Sequence, residues 1–199
     1  DDTKLVGAHR ELSQLKTFGN NALDLSGTVG SLKRVSVENL TIWESVNTNV
    51  ISIGINVTAY AQETAFRNLR VYSFGGSNII MRGGLNTIIE HCYFSLPKAT
   101  AGGHNLWVYR SATDTSPTTL RTIGNYFASN TNPKSSVRME DIKDWVSIGD
   151  IIEGVSNASG KALEVLDSNN SLGVADITII NLHLESITPI PEMVFTDAK

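Results

Sequence analysis

Two glutamates, Glu140 and Glu164, are the candidates for chemistry in this chain. Two carboxyl groups about 5 to 9 Å apart can hydrolyse a glycosidic bond, one as general acid and the other as nucleophile or base. If both residues lie on adjacent parallel strands, two residues out of register, their α-carbons are separated by about 8 Å. We therefore predict Glu140 as the general acid and Glu164 as the nucleophile or base. An enzyme of this kind is a glycoside hydrolase or a polysaccharide lyase.

Four side chains suited to sugar binding occupy matching positions on the predicted strands. Aromatic rings stack on sugars, and arginine donates paired hydrogen bonds to carboxylate or hydroxyl oxygens. The expected substrate-binding residues are Arg82, Trp107, Tyr109 and Arg138. Two alternatives stay open. Loops or a second subunit cover the aromatic rings, or Arg138 and Glu164 form an ordinary cross-strand ion pair.

All six of these residues lie on copies of one recurring strand, and recurrence indicates a repeat architecture. Each copy carries two inward apolar residues separated by one outward residue. The predicted inward pairs are Leu23 and Leu25, Ile53 and Ile55, Ile79 and Met81, Leu106 and Val108, Val137 and Met139, and Leu163 and Val165. A column of turn residues advances with them, and its predicted members are Asn39, Asn68, His91, Asn125, Asp150 and Asn181.

Two columns that advance together predict an all-β solenoid of about six coils. Parallel strands stack like side chain on like side chain, and Asn or Asp accepts the left-handed backbone that a sharp bend needs. We expect one domain over 1–199, with a lead-in at 1–20, coils at 21–187 and a tail at 188–199. Ala128 and Glu153 interrupt the inward pattern, which predicts bulges there. A β-sandwich remains the main rival fold.

The repeated strand Asn39-Leu40-Thr41-Ile42 and its copies resemble the right-handed parallel β-helix proteins of the pectate-lyase-like superfamily. The resemblance covers about residues 21 to 187 and is strongest to bacteriophage tailspike and tail-fibre proteins, since the calcium-binding aspartate clusters of pectate lyases have no counterpart here. It implies a right-handed, single-stranded β-helix in a virion tail or outside the cell. It also implies a homotrimer that binds, or binds and hydrolyses, a bacterial surface polysaccharide.

Composition argues against several other classes of function. The net charge is -4, and no run of Lys or Arg offers a surface for nucleic acid or an anionic membrane. No apolar stretch is long enough for membrane insertion. The single cysteine, Cys92, is expected to pack inward, and no His, Cys or Asp grouping has metal-ligand spacing. We therefore expect neither metal nor other cofactor.

Two surfaces compete for function. The loops at 96–104, 111–119, 130–135 and 168–175 are long enough to wall a groove over the sugar-binding residues. A second outer strip is apolar enough to be a subunit interface, and its expected members are Trp43, Arg70, Tyr72, Tyr93, Phe127, His183 and Glu185. Accordingly, the main alternative to a polysaccharide-binding protein is a non-catalytic trimeric shaft or adhesin segment of a tail fibre.

Overall fold

The computed structural model describes residues 3–27, 32–45, 52–95, 97, 103–110, 116–128, 134–155, 160–168, 174–185 and 193–196. Its regular elements are β-strands, and all of the strand pairs are parallel. The chain is a right-handed parallel β-helix, as predicted from the sequence. Three sheets run along the solenoid, and each coil contributes one strand to each of them.

Sheet A contains β1 (Thr3–Val6), β5 (Val35–Glu38), β9 (Ala65–Arg67), β12 (Leu85–Glu90), β15 (Thr118–Ile123), β18 (Lys143–Ile148) and β21 (Ala175–Ile180), with the short strands β4 (Leu32–Lys33) and β8 (Ala61–Gln62) beside them. Sheet B contains β2 (Gln14–Thr17), β6 (Thr41–Glu44), β10 (Arg70–Tyr72), β13 (Tyr93–Ser95), β16 (Tyr126–Ala128), β19 (Ile151–Glu153) and β22 (His183–Glu185). Sheet C contains β3 (Leu23–Leu25), β7 (Ile55–Val57), β11 (Ile79–Arg82), β14 (Leu106–Tyr109), β17 (Val137–Glu140), β20 (Leu163–Leu166) and β23 (Met193–Thr196). The sheets thus extend into the segments expected as lead-in and tail, because β1, β2 and β23 pair with coil strands.

The inward column of sheet C follows the prediction in its later coils. Leu106, Val108, Val137, Met139, Leu163 and Val165 are all buried. In the second coil the predicted register is wrong by two residues, since Ile55 and Val57 pair with Ile79 and Met81. Gly54 instead sits so close to the next coil that an added Cβ would lie 2.4 Å from the backbone oxygen of Asn78. That approach requires glycine.

The turn between sheets A and B is a column of left-handed residues, as predicted, but two of its members are wrong. Its residues are Asn39, Asn68, His91, Gly124, Gly149 and Asn181, with φ between 49° and 63°. Asn125 and Asp150 come one residue later and point inward, where they are buried. Asp150 Oδ1 accepts hydrogen bonds from the backbone N (2.8 Å) and Nδ2 (3.0 Å) of Asn125. The prediction is wrong in these two coils because glycine occupies the turn position that carries Asn or His in the other four.

The shifted turn removes the expected bulges at Ala128 and Glu153. In register, Phe127 lies beside Phe94 and Ile152 beside Phe127. All three side chains are buried, and the rings of Phe94 and Phe127 stack with centroids 5.3 Å apart. The inward position is therefore filled in both coils without a bulge.

Sheet A contains a second left-handed column that the sequence did not reveal. It consists of Arg34, Glu63, Asn86, Thr119, Asp144 and Asp176, with φ between 50° and 60°. The pairing register stacks these residues coil upon coil. Hydrogen bonds from Arg34 N to Gln62 O (2.9 Å) and from Glu63 N to Leu85 O (2.8 Å) hold the bend. All six positions need the same left-handed backbone, but five different residue types occupy them. No single side-chain pattern therefore marks the column.

Thr119 is the strained member of this column, because a β-branched residue at positive φ is a steric outlier. Thr119→Asn is expected to raise the free energy of unfolding by about 1 kcal/mol, since asparagine accepts the left-handed conformation. Urea denaturation measures the change. Thr118→Asn, on the preceding residue, makes the same chemical change without relieving positive φ. Equal stabilities of the two variants would contradict this explanation.

Candidate functional site

The outer face of sheet C brings the predicted site residues together. Trp107, Arg138 and Glu164 occupy the same register position on three consecutive strands. Glu140 pairs with Leu166, which places Glu164 one strand beyond Glu140 and two residues back, as predicted. Arg82 pairs with Tyr109 at the other side of the cluster. We call this surface the sheet C face.

The aromatic side chains of the sheet C face lie against one another and are partly exposed. The ring centroids of Trp107 and Tyr109 are 4.9 Å apart, with planes tilted by 31°. The imidazole of His104 packs on the other side of Trp107, with centroids 5.4 Å apart. Trp107 Nε1 donates to Glu140 Oε1 at 3.0 Å. This hydrogen bond fixes the orientation of the indole. The side chain therefore loses less conformational entropy when a sugar binds.

Arg138 joins the two candidate carboxylates. Its Nη1 lies 2.9 Å from Glu164 Oε2, and its Nε donates to Glu140 Oε1. Glu140 and Glu164 are both largely buried. The ion pair between Arg138 and Glu164, which was left open as an alternative to ligand binding, is therefore formed, and Glu140 takes part in it.

Two further residues, missed at the level of sequence, complete the setting of Glu164. Lys161 Nζ lies 2.5 Å from Glu164 Oε1, and Ser135 Oγ donates to Glu164 Oε2 at 2.6 Å. Burial by itself raises the pKa of Glu164. The hydrogen bonds from Lys161 and Ser135, together with the charge of Arg138, outweigh it and hold the pKa below its ordinary value. The only sequence signal for Lys161 was its place three residues before Glu164.

His104 packs against Trp107 and hydrogen-bonds to the backbone of Ser135, the residue whose side chain donates to Glu164. It is 4% exposed, and its Nδ1 lies 2.6 Å from the carbonyl oxygen of Ser135, so Nδ1 carries the donated proton. Burial lowers the pKa of His104 to about 4, because the imidazolium would lose its hydration there. A neutral imidazole therefore supports the Trp107 ring at neutral pH. The sequence alone does not bring His104 to the carbonyl oxygen of Ser135, because Ser135 belongs to the next coil.

The chemistry available here is mainly that of binding. The sheet C face offers partly exposed aromatic rings beside a hydrogen-bonded cluster of charged side chains, which suits stacking against sugars. Glu140 Oε1 already accepts from the Trp107 indole and the Arg138 guanidinium. Arg138 would have to release both glutamates before a glycosidic bond could lie between them.

The predicted groove walls at 96–104, 111–119, 130–135 and 168–175 fall largely outside the described residues. Within the described ranges, among residues 3–185 and 193–196 with their gaps, no group of three or more His, Cys, Asp and Glu side chains could hold a metal ion. In the same part of the chain, no helix has the length and apolar character needed to cross a bilayer.

The second outer strip lies on sheet B and differs from the prediction at one residue. Phe127 is buried in the core, and Tyr126 takes the outward position, where its ring stacks on Tyr93 with centroids 5.3 Å apart. Trp43 and Tyr72 stack in the same way at 5.9 Å. Because the stacked rings cover one another's faces, this strip offers mainly ring edges to the outside.

Comparison with known proteins finds similarity in structure and none in sequence. No protein-family model matches the sequence, and the curated proteins contain no match to it. A protein of Geobacillus virus E2 has the same fold, with a TM-score of 0.58 and 13% identity, over 93% of this chain and 50% of that one. The A-module of mannuronan C-5 epimerase from Azotobacter vinelandii matches with a TM-score of 0.45 and 14% identity, over 96% of this chain and 64% of that one. A GH87 α-1,3-glucanase from Streptomyces thermodiastaticus has a TM-score of 0.33 and 11% identity, over 90% of this chain and 45% of that one.

At these identities the likeness shows the fold alone. The chain spans half the length of the virus protein.

Proposed function

We propose that this protein binds a bacterial surface polysaccharide along the sheet C face, as part of a virion tail or another extracellular assembly. The observation that carries the proposal is the pair of partly exposed rings, Trp107 and Tyr109, next to the linked charges of Arg138, Glu140 and Glu164. The similarity in fold to a protein of Geobacillus virus E2 supports the assignment to a virion.

The binding proposal predicts that Trp107→Ala weakens polysaccharide affinity by about tenfold, because the lost ring removes the stacking surface. A panel of bacterial surface polysaccharides is immobilised, and dissociation constants are measured for the wild type and the variant. Trp43→Ala, on sheet B, is the matched control and should bind as the wild type does. A glycan that binds equally well to the Trp107→Ala protein contradicts the placement of the site.

Hydrolysis of the bound polysaccharide is the second candidate function, with Glu140 as general acid and Glu164 as nucleophile or base. Glu140 accepts a hydrogen bond from the Trp107 indole, and Arg138 joins Glu140 to Glu164, so both carboxylates belong to the cluster that contains the proposed sugar-binding rings, which favours it. The release of reducing ends from the bound polysaccharide tests it. In a cleaving protein, Glu140→Gln should abolish cleavage and leave binding nearly intact. Full cleavage by this variant would exclude the assignment of Glu140.

A non-catalytic trimeric shaft is the competing function from another class. The stacked aromatic strip of sheet B supports it, since such a strip buries well between subunits. A homotrimer should appear in light scattering at micromolar concentration, and Trp43→Ala should weaken it. A trimer that binds no polysaccharide on sheet C would favour the shaft, whereas polysaccharide binding there would favour the first proposal.

A further inference from the structure

The corner between sheets A and B is apolar in the later coils. On sheet A, Ile123, Ile148 and Ile180 occupy one outward register position on three neighbouring strands. Ile148 is 37% exposed and Ile180 is 44% exposed. Across the turn, Tyr126 and Ile151 pair in register at the nearest outward position of sheet B and are half-buried. Apolar side chains that adjoin in this way mark an interaction site. We call these five residues the A/B corner.

The turn inside the A/B corner carries glycine in two coils. Gly149 takes the place that asparagine fills in the first two coils, where Asn68 Nδ2 donates to Asn39 Oδ1 at 2.8 Å. A Cβ added at Gly149 would meet nothing within 4 Å among the described residues other than its chain neighbours. Asparagine would also suit its φ of 63°. The coil itself therefore does not require glycine here, and the glycine keeps the surface flat between Ile148 and Ile151.

The charges beside the A/B corner differ between its two sides. In the next outward row of sheet A, Arg121 lies beside Val146, which lies beside Thr178. In the next outward row of sheet B, Glu153 lies beside Glu185. Neither Arg121 nor Glu153 takes part in an ion pair within the described part of the chain. The sheet A side therefore offers a cation, and the sheet B side offers a carboxylate.

The remaining charges on these three strands of sheet A lie farther from the A/B corner. Lys143, Asp144 and Asp176 belong to the bend of the sheet, four or more residues along the strand from the isoleucine row. Arg121 is two residues from Ile123 in the same strand. Among the charged residues of β15, β18 and β21, Arg121 is therefore the one nearest to the corner.

A second copy of this chain fits this distribution of charge. When two solenoids lie side by side with parallel axes around a common symmetry axis, the sheet A side of one copy faces the sheet B side of the next. That arrangement brings Arg121 of one copy towards Glu153 of the other, and it packs the isoleucine rows together. In an antiparallel pair like sides would meet, and Glu153 of one copy would face Glu153 of the other.

The contact has to extend beyond the A/B corner. Its three strands cover only about 10 Å along the axis, whereas a stable interface buries about 800 Å² on each partner. Tyr126 also belongs to the stacked aromatic strip of sheet B, which continues the surface through Tyr93, Tyr72 and Trp43. From β6 to β22 the combined surface is about 24 Å long. A parallel copy can follow its whole length, because both copies repeat with the same spacing.

We propose that the A/B corner is the centre of a self-association surface, through which copies of this chain pack side by side with parallel axes in a cyclic oligomer. Arg121 of each copy lies against Glu153 of the next, at the border of the apolar contact. The inference locates the contact for the shaft function and rests on that function for its purpose. It is independent of polysaccharide binding on the sheet C face.

The first test measures mass by light scattering after size-exclusion chromatography. The wild type at about 10 μM should have a multiple of the mass of one chain. Gly149→Asn keeps the turn but adds a protruding side chain, and Ile148→Lys adds a buried charge, so each should raise the dissociation constant at least about tenfold. Val6→Lys is the matched control, because Val6 is 52% exposed in the isoleucine row but at the opposite end of sheet A. It should keep the wild-type mass.

The second test reverses the border charges. Arg121→Glu should raise the dissociation constant about tenfold, and adding Glu153→Arg in the same chain should restore it. Circular dichroism confirms the fold of each variant. A wild type with the mass of one chain at about 100 μM overturns the proposal. Oligomers that survive both Gly149→Asn and Ile148→Lys but dissociate in Trp43→Ala also overturn it, while the shaft function would stand with a contact on sheet B alone. A double charge reversal that restores nothing overturns the parallel arrangement.

Discussion

Leu163→Ala is expected to lower the free energy of unfolding by about 2 to 5 kcal/mol. Leu163 is 0% exposed in the inward column of sheet C, between Val137 and Met193 in register. Truncation removes apolar area from the core and leaves a cavity, since parallel strands on both sides restrict any collapse. Urea denaturation at neutral pH measures the loss.

Leu12→Ala is the matched control for this prediction. It makes the same chemical change at a leucine that is 82% exposed, and the stability should change by less than about 0.5 kcal/mol. A loss below about 1 kcal/mol in Leu163→Ala would contradict the inward register of β20. The comparison isolates burial, because both variants remove the same atoms.

The fold could be predicted because its strongest constraint repeats. Inward positions of successive coils face the same core, so the requirement for a buried apolar residue recurs at Leu106, Val137 and Leu163. The prediction fails where a structural position is filled by an unexpected residue type. Gly124 and Gly149 replace asparagine at the turn, and the prediction therefore assigned the turn to Asn125 and Asp150.

The bend in sheet A could not be predicted for a related reason. Hydrogen bonds between coils, such as Arg34 N to Gln62 O, hold its left-handed backbone, and only three of its six residues, Asn86, Asp144 and Asp176, are of types that favour it. Arg34 and Thr119 are among the residues least expected at positive φ. A constraint that the neighbouring coil supplies leaves no trace in the local sequence.

The sequence predicted which residues of the candidate site share a register position, but not which charged and polar groups surround Glu164. Counting two residues per outward position placed Trp107, Arg138 and Glu164 in line, as the structure has them. Ser135 and Lys161 precede their strands in irregular segments, where no periodicity indicates which way a side chain points. Their contacts with Glu164 turn an isolated carboxylate into part of an ion-pair network, which favours binding over acid–base chemistry.

Acidification from pH 6.5 to about 4 is expected to lower the free energy of unfolding by about 3 kcal/mol through His104. In the folded protein the pKa of His104 is about 4, against an ordinary value of 6.5 in the unfolded chain. Between these values the unfolded state binds a proton that the folded state does not. The contribution is therefore complete above pH 6.5 and is lost as the pH falls towards 4. Urea denaturation at a series of pH values measures it.

His104→Asn should flatten this dependence, because asparagine can still donate to the carbonyl oxygen of Ser135 but does not titrate. His91→Asn is the matched control, since His91 is exposed and its left-handed turn column already contains asparagine. Glu164 acts in the same direction at lower pH: its depressed pKa gives a contribution that is lost as the pH falls below the ordinary value of 4.5. Between pH 6.5 and 5, the loss in the free energy of unfolding therefore comes mainly from His104. An equal slope there in the wild type and in His104→Asn would show that another group takes up the proton.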